Sequence, residues 1–138
     1  MQPVGAHHLL IADDDPSLLA AYVQYFELHG YEIRATRDGV EALAEYCRWF
    51  PAVVILDVQM PRLDGREVAR KIRRLRSKPI PLLVAVSGLS SQSERAVSLR
   101  SGFDHHFAKP AELPVILSAI AFRSRTRDPD LAQVQSRC

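Results

Sequence analysis

Only two cysteines occur in 138 residues, Cys47 and Cys138. They stand in no metal-ligand spacing, so a zinc centre and a disulfide framework are both excluded, and reduced thiols are expected. No apolar run approaches the roughly 18 residues that a membrane span needs. The first residues, Met1 to Ala6, lack the basic and apolar regions of a signal peptide, so a cytoplasmic location and no membrane partner are expected. Neither sign of charge dominates: 18 Lys+Arg stand against 16 Asp+Glu, a net +2. That balance does not draw the whole chain to nucleic acid or anionic lipid, and any strong field must be local. What remains, 47% hydrophobic and 25% charged residues, is the composition of an ordinary soluble globule and excludes disorder and collagen. The length allows one domain.

Short runs with strand character recur about every 25 residues between helical patterns, the spacing of repeated β-α units. The strand candidates are His8 to Ala12, Tyr31 to Thr36, Ala52 to Leu56, Pro81 to Val86 and His105 to Ala108. The first, third and fourth contain the continuously apolar runs Leu9 to Ala12, Val53 to Leu56 and Leu82 to Val86, as parallel strands covered on both faces must, and are expected at the centre. The first helix has Asp15 as N-cap and Pro16 at its first position, with Leu18, Leu19, Tyr22, Val23 and Phe26 inward, and it stops at Gly30. The second opens with Asp38 and Glu41, a variant capping box, and is expected to bury Leu43, Ala44 and Cys47. The third carries Val68, Ile72 and Leu75 on one face. The fourth, after Ser91 and Glu94, has only Ala96, Val97 and Leu99 as apolar residues. The fifth, near Glu112 to Phe122, presents Leu113, Ile116, Leu117 and Ile120. One domain over residues 1–124, with a core of about 8–122, and a polar, mobile tail over 125–138 are expected. Five such units make a doubly wound α/β fold, a five-stranded parallel sheet whose ligand lies beyond the carboxyl ends of its strands.

At those ends stand Asp13-Asp14-Asp15, Asp57, Ser87-Gly88 and Lys109-Pro110. If the first and third strands are neighbours, as in the flavodoxin-like order 2-1-3-4-5, Asp13, Asp14 and Asp57 converge on one rim. Unit charges ~5 Å apart at an effective dielectric of ~20 repel by roughly 3 kcal/mol, so three ionised carboxylates need compensation. An all-oxygen ligand set suits a hard divalent ion such as Mg²⁺, which takes one or two carboxylates and a phosphoryl oxygen. Lys109 adds a fixed positive charge. Asp15 needs no role beyond its cap.

The stretches Leu10 to Pro16, Val54 to Gly65, Ala85 to Gly88 and Phe107 to Pro110 resemble, in order and spacing, the receiver domain of two-component response regulators, chemotaxis-regulator-like. The likeness runs from about His8 to Phe122. It implies that Asp57 is the phosphoacceptor, attacking the phosphorus of a phosphohistidine on a histidine kinase or histidine phosphotransfer protein. It implies Mg²⁺ ligands at Asp13, Asp14 and Asp57 and at the backbone carbonyl of Gln59. Lys109 would pair with the phosphoryl oxygens, its bond to Pro110 would be cis, and Ser87 would swing to the phosphoryl group. The output is then a changed protein-interaction surface around the fourth helix and fifth strand, read by a downstream protein. Such a domain is a switch and no enzyme beyond its own phosphorylation and dephosphorylation.

The sequence departs from that pattern at His106, where receivers carry Tyr or Phe. Gly102 to Phe107 is similar to receivers of hybrid sensor kinases, and the plain alternative is an exposed edge-strand histidine. No metal site is expected at His105-His106 or His7-His8, because adjacent strand residues face opposite sides. Gln59 and Leu89 are expected to set the lifetime of the acyl phosphate. Between Arg62 and Lys78 eight basic residues meet two acids; Arg66, Arg70 and Arg73 or Arg74 share one face, read as solvated or as a docking surface for an acidic partner. An aspartyl phosphatase would need a second acid at Gln59, and the acids at 13–15 would repel a flavin phosphate. A phosphorylation-independent interaction module is the remaining alternative. No nucleic-acid partner is expected, for want of a helix-turn-helix or an aromatic platform.

Overall fold

Uninterrupted aliphatic runs build the middle of the sheet in the computed structural model, which describes residues 7–126. β1 (His8–Ala12), β3 (Val53–Asp57) and β4 (Leu82–Ser87) are buried along almost their whole length. β2 (Glu32–Thr36) and β5 (His105–Ala108) mix polar and apolar residues and take the edges. All neighbours pair in parallel in the order β2-β1-β3-β4-β5. Parallel pairs cannot be joined by tight turns, so each connection carries a helix. The four connections are α1 (Pro16–Leu28), α2 (Gly39–Trp49), α3 (Gly65–Leu75) and α4 (Gln92–Ser101), and α5 (Leu113–Thr126) follows β5.

Successive strand residues point to opposite faces, which splits the core in two. Leu10, Val54, Leu56 and Leu83 meet Ala42, Tyr46, Val68 and Ile72 of α2 and α3. Leu9, Ile11, Ile55 and Val84 meet Leu19, Tyr22, Phe26, Ile116 and Ile120 of α1 and α5. Each fully buried aliphatic side chain contributes about 1.5–3 kcal/mol, and this burial sets the register. Helix starts are held by side-chain caps: Asp15 accepts from Ser17 N, Asp38 from Glu41 N, Asp64 from Glu67 N and Ser91 from Glu94 N. Each cap is worth about 1 kcal/mol.

Several expectations are corrected. α2 turns Ala42 and Tyr46 inward, while Ala44 is exposed and Leu43 and Cys47 are only half-buried. The cause is Gly39, where a Cβ would lie 1.8 Å from the Leu63 carbonyl oxygen, so the bare backbone of the first turn is what packs there. α4, for which the sequence defines no apolar face, leaves Leu99 52% exposed and buries Ser98 and Ser101. Arg66 Nε donates to Ser98 Oγ (3.2 Å) and Arg70 Nη1 to Ser101 Oγ (2.9 Å). Arg66 also binds the Glu94 carboxylate and carbonyl, and Arg73 spans Asp104, Gly102 O and Pro81 O. These three guanidinium groups therefore tie α3 to α4 and to the entry of β5 rather than forming a solvated face. Cys47 is disulfide-bonded, against the expectation of a reduced thiol; half-burial on a helix carries no sequence signal for pairing. α5 runs through Thr126, two residues beyond the expected boundary, and the tail expected after it lies outside the described residues. Among the described residues no helix is long and apolar enough to cross a membrane.

Candidate functional site

The carboxyl ends of β1, β3, β4 and β5 form one rim, and each contributes a polar side chain where its apolar run stops. Asp13 follows β1 directly and is 1% exposed; Asp57 closes β3 and is 5% exposed; Asp14 is exposed at the mouth. One carboxylate oxygen from each of the three lies within 4.8 Å of the others. Lys109, just past β5, reaches between two of them, with Nζ 3.1 Å from Asp13 Oδ2 and 3.2 Å from Asp57 Oδ2. At an effective dielectric of ~20 each attraction is about 5 kcal/mol, larger than the ~3.5 kcal/mol repulsion between the acids. One ammonium group thus stabilises the buried pair and leaves Asp14 over.

The electrostatics follow from that crowding. Burial, and then the neighbouring Asp13, push the Asp57 carboxyl up to about 6, with Lys109 and the Gln59 amide pulling the other way. Burial disfavours the Lys109 ammonium, yet Asp57 and Asp13 together raise its pKa above the ordinary lysine value. The loop after β3 is tight: Gln59 N donates to Asp57 Oδ1 (3.2 Å) and Gly65 N to Val58 O (2.8 Å). A Cβ on Gly65 would lie 2.4 Å from the Asp57 carbonyl oxygen, so glycine allows α3 to start against the backbone of the acid.

Ser87 ends β4 fully buried, its Oγ accepting from Leu89 N at 2.9 Å. Its carbonyl accepts from Lys109 N (2.9 Å) and Ser90 Oγ (2.8 Å). The Lys109–Pro110 peptide is cis. His106 is 8% exposed, which corrects the reading of an exposed edge histidine. Its Nδ1 lies 2.8 Å from Ser98 Oγ and its Nε2 3.4 Å from Ser90 Oγ, while its carbonyl accepts from Arg95. Burial, and then Arg95, lower its pKa. A polar chain thus runs from Ser87 through Ser90, His106 and Ser98 to Arg66.

The rim fits a hard divalent cation. Its donors are all carboxylate oxygens, and buried Asp13 Oδ2 makes no aligned hydrogen bond, leaving a lone pair to spend beyond its ion pair with Lys109. No other such cluster occurs among the described residues. Sequence reasoning assigned Tyr22 to the core and missed its proximity to the acids. Its buried hydroxyl has no hydrogen-bond partner, and burial, Asp13 and Asp57 all raise its pKa. Helical periodicity registers that ring as apolar and says nothing of its polar tip.

Residues 9–121 match the family model described as the response regulator receiver domain. The chain is 37% identical over 126 residues to the response regulator MprA of Mycobacterium leprae, covering 91% of this chain and 54% of that protein. It therefore spans about half the length of the curated relatives it matches. Among solved structures it is similar to a CheY-like receiver domain protein from Methanospirillum hungatei (29% identity, TM-score 0.78, 86% of this chain and 93% of that one). It is also similar to the receiver domain of the Francisella response regulator 1452 (26% identity, TM-score 0.81, 91% and 100%).

Proposed function

The chain belongs to the response regulator receiver domains of two-component systems, and from that premise we propose that it takes a phosphoryl group on Asp57 from a phosphohistidine of a histidine kinase or histidine phosphotransfer protein. The observation that carries this reading is the buried Asp57 carboxylate, held with Asp13 and Asp14 within 4.8 Å and bridged to Asp13 by Lys109. An Asp57 oxygen attacks phosphorus, the P–N bond breaks, and the imidazole nitrogen leaves with its electron pair. Phosphoryl transfer asks little covalent chemistry of the protein beyond the nucleophile, so positioning and charge neutralisation supply the acceleration. Lys109 stays fixed between Asp13 and Asp57 and offers its ammonium to the incoming oxygens. Ser87 gives up its bond from Leu89 N to turn its hydroxyl to the phosphoryl group.

Asp13, Asp14, Asp57 and the Gln59 carbonyl would hold Mg²⁺, which supplies further positive charge to the phosphoryl oxygens. Phosphorylation adds nearly two negative charges. The response passes along the polar chain from Ser87 through His106 to α4, whose outer surface a downstream protein reads. The only turnover is the domain's own phosphorylation and dephosphorylation, at a rate set by Gln59 and Leu89. The test is intact mass after incubation with acetyl phosphate and Mg²⁺: one phosphoryl adduct is expected, absent in Asp57→Asn. An unmodified wild-type mass would instead favour a phosphorylation-independent interaction module.

A further inference from the structure

Strand alternation aims two of the rim acids at one face of the sheet. Asp13 stands two residues beyond Ile11 and Asp57 two beyond Ile55, so both carboxylates turn to the side that α1 and α5 cover. Tyr22 of α1 belongs to the cluster formed there with Ile11, Ile55 and Ile116, and is 1% exposed. A helical side chain leans toward the N-terminus of its helix. The N-terminus of α1 lies at the acidic rim, where the amide of its cap, Asp15, donates to Asp13 Oδ1 at 2.9 Å. The phenol therefore rises from the core toward the acids, whose charges act on its hydroxyl. Two buried atoms that make no hydrogen bond meet here, and they are complementary. The Tyr22 hydroxyl can donate, and Asp13 Oδ2, beyond its ion pair with Lys109, can only accept. Phenylalanine would fill the same space, and a buried hydroxyl left unpaired is destabilising, so packing alone gives no reason for the phenol.

We propose that Tyr22 is a positioning residue of the cation site: its hydroxyl donates a hydrogen bond to the core side of the Asp13 carboxylate and so presents that carboxylate to a divalent ion at the rim. The inference rests on the reading of the rim as a Mg²⁺ site and deepens it. A donor behind a ligand carboxylate fixes its orientation, and loss of such a donor weakens metal binding by about tenfold or more. Lys109 does not take this part alone, because its ammonium is shared between Asp13 and Asp57. A phenol is a neutral donor and brings no charge to compete with the cation.

The experiment is a Mg²⁺ titration of the chain labelled with ¹³Cζ-tyrosine, followed by NMR and by calorimetry. The Tyr22 ¹³Cζ signal, assigned by its absence in Tyr22→Phe, should move saturably with the midpoint that calorimetry gives for binding. Tyr22→Phe keeps the ring and should bind Mg²⁺ about tenfold more weakly, with the amide spectrum of the rest of the chain unchanged. Tyr46→Phe is the control, because its hydroxyl is bonded to Ser77 in the opposite layer of the core, and its affinity should equal that of wild type. Equal or tighter Mg²⁺ binding by Tyr22→Phe overturns the proposal and leaves the cation site standing, as does a Tyr22 signal that saturating Mg²⁺ leaves unmoved. A wild-type chain that binds no Mg²⁺ at millimolar levels removes the cation reading itself, and this proposal with it.

Discussion

Replacing Gly65 with alanine puts a carbon 2.4 Å from the Asp57 carbonyl oxygen and 3.0 Å from Val58 Cα. Both are backbone atoms where β3 leaves the sheet, and neither can rotate aside. Ordinary contact needs about 3.5 Å, so the start of α3 must retreat by roughly an ångström. That movement stretches the 2.8 Å bond from Gly65 N to Val58 O beyond useful length. Overpacking costs about 1–3 kcal/mol and the lost buried hydrogen bond about 1. A net loss of about 2–4 kcal/mol at a urea slope of ~1.5 kcal/mol per molar lowers the unfolding midpoint by roughly 1.3–2.7 M. Gly88→Ala is the matched control, because a Cβ there meets nothing within 4 Å; its midpoint should stay within about 0.3 M of wild type. A Gly65→Ala midpoint equally unmoved would refute the claim that α3 is seated directly on the backbone of the acid.

Lys109→Met should destabilise the domain by about 3 kcal/mol in urea, because two buried carboxylates lose their shared counter-charge. Asp57→Asn in that background should recover more than half of the loss; no recovery would sink the ion-pair account. The His106 pKa lies below the ordinary 6.5, so the unfolded chain binds the extra proton. Its stability contribution is full above pH 6.5 and declines as pH falls from there toward the lowered folded value. The stability difference between wild type and His106→Phe should shrink across that window, and a difference independent of pH would contradict the buried neutral ring. Arg66→Ala removes three hydrogen bonds to α4 and should speed amide exchange there about tenfold, the equivalent of ~1.4 kcal/mol, leaving β1 and β3 protected.

Most of the fold was legible because apolar runs buried on both faces are distinctive, and because each stops at a residue chemically unlike the run. Asp13, Asp57, Ser87 and Lys109 stand out for that reason, and the parallel order alone suffices to gather them. The inward face of α2 was misread and that of α4 was not legible, for a common physical cause. Hydrophobic periodicity assumes that apolar side chains do the covering, yet α2 packs through Gly39, which has none, and α4 through Ser98 and Ser101. Those serines are buried because Arg66 and Arg70, some 30 residues away, reach them, and no local window contains both partners. Tyr22 and the polar chain through His106 escaped notice likewise, since each depends on depth or on contacts between distant segments.

The way α4 is fastened has a mechanical consequence. Two seams hold the helix, one of arginine forks and hydroxyl groups and one against the imidazole of His106. Every group in those seams can exchange its partner for a water molecule at small net cost. Lifting the helix along these seams therefore wets mainly polar groups, with Ala96 and Val97 the half-buried apolar residues it uncovers. An aliphatic seam of the same area would have locked it in place.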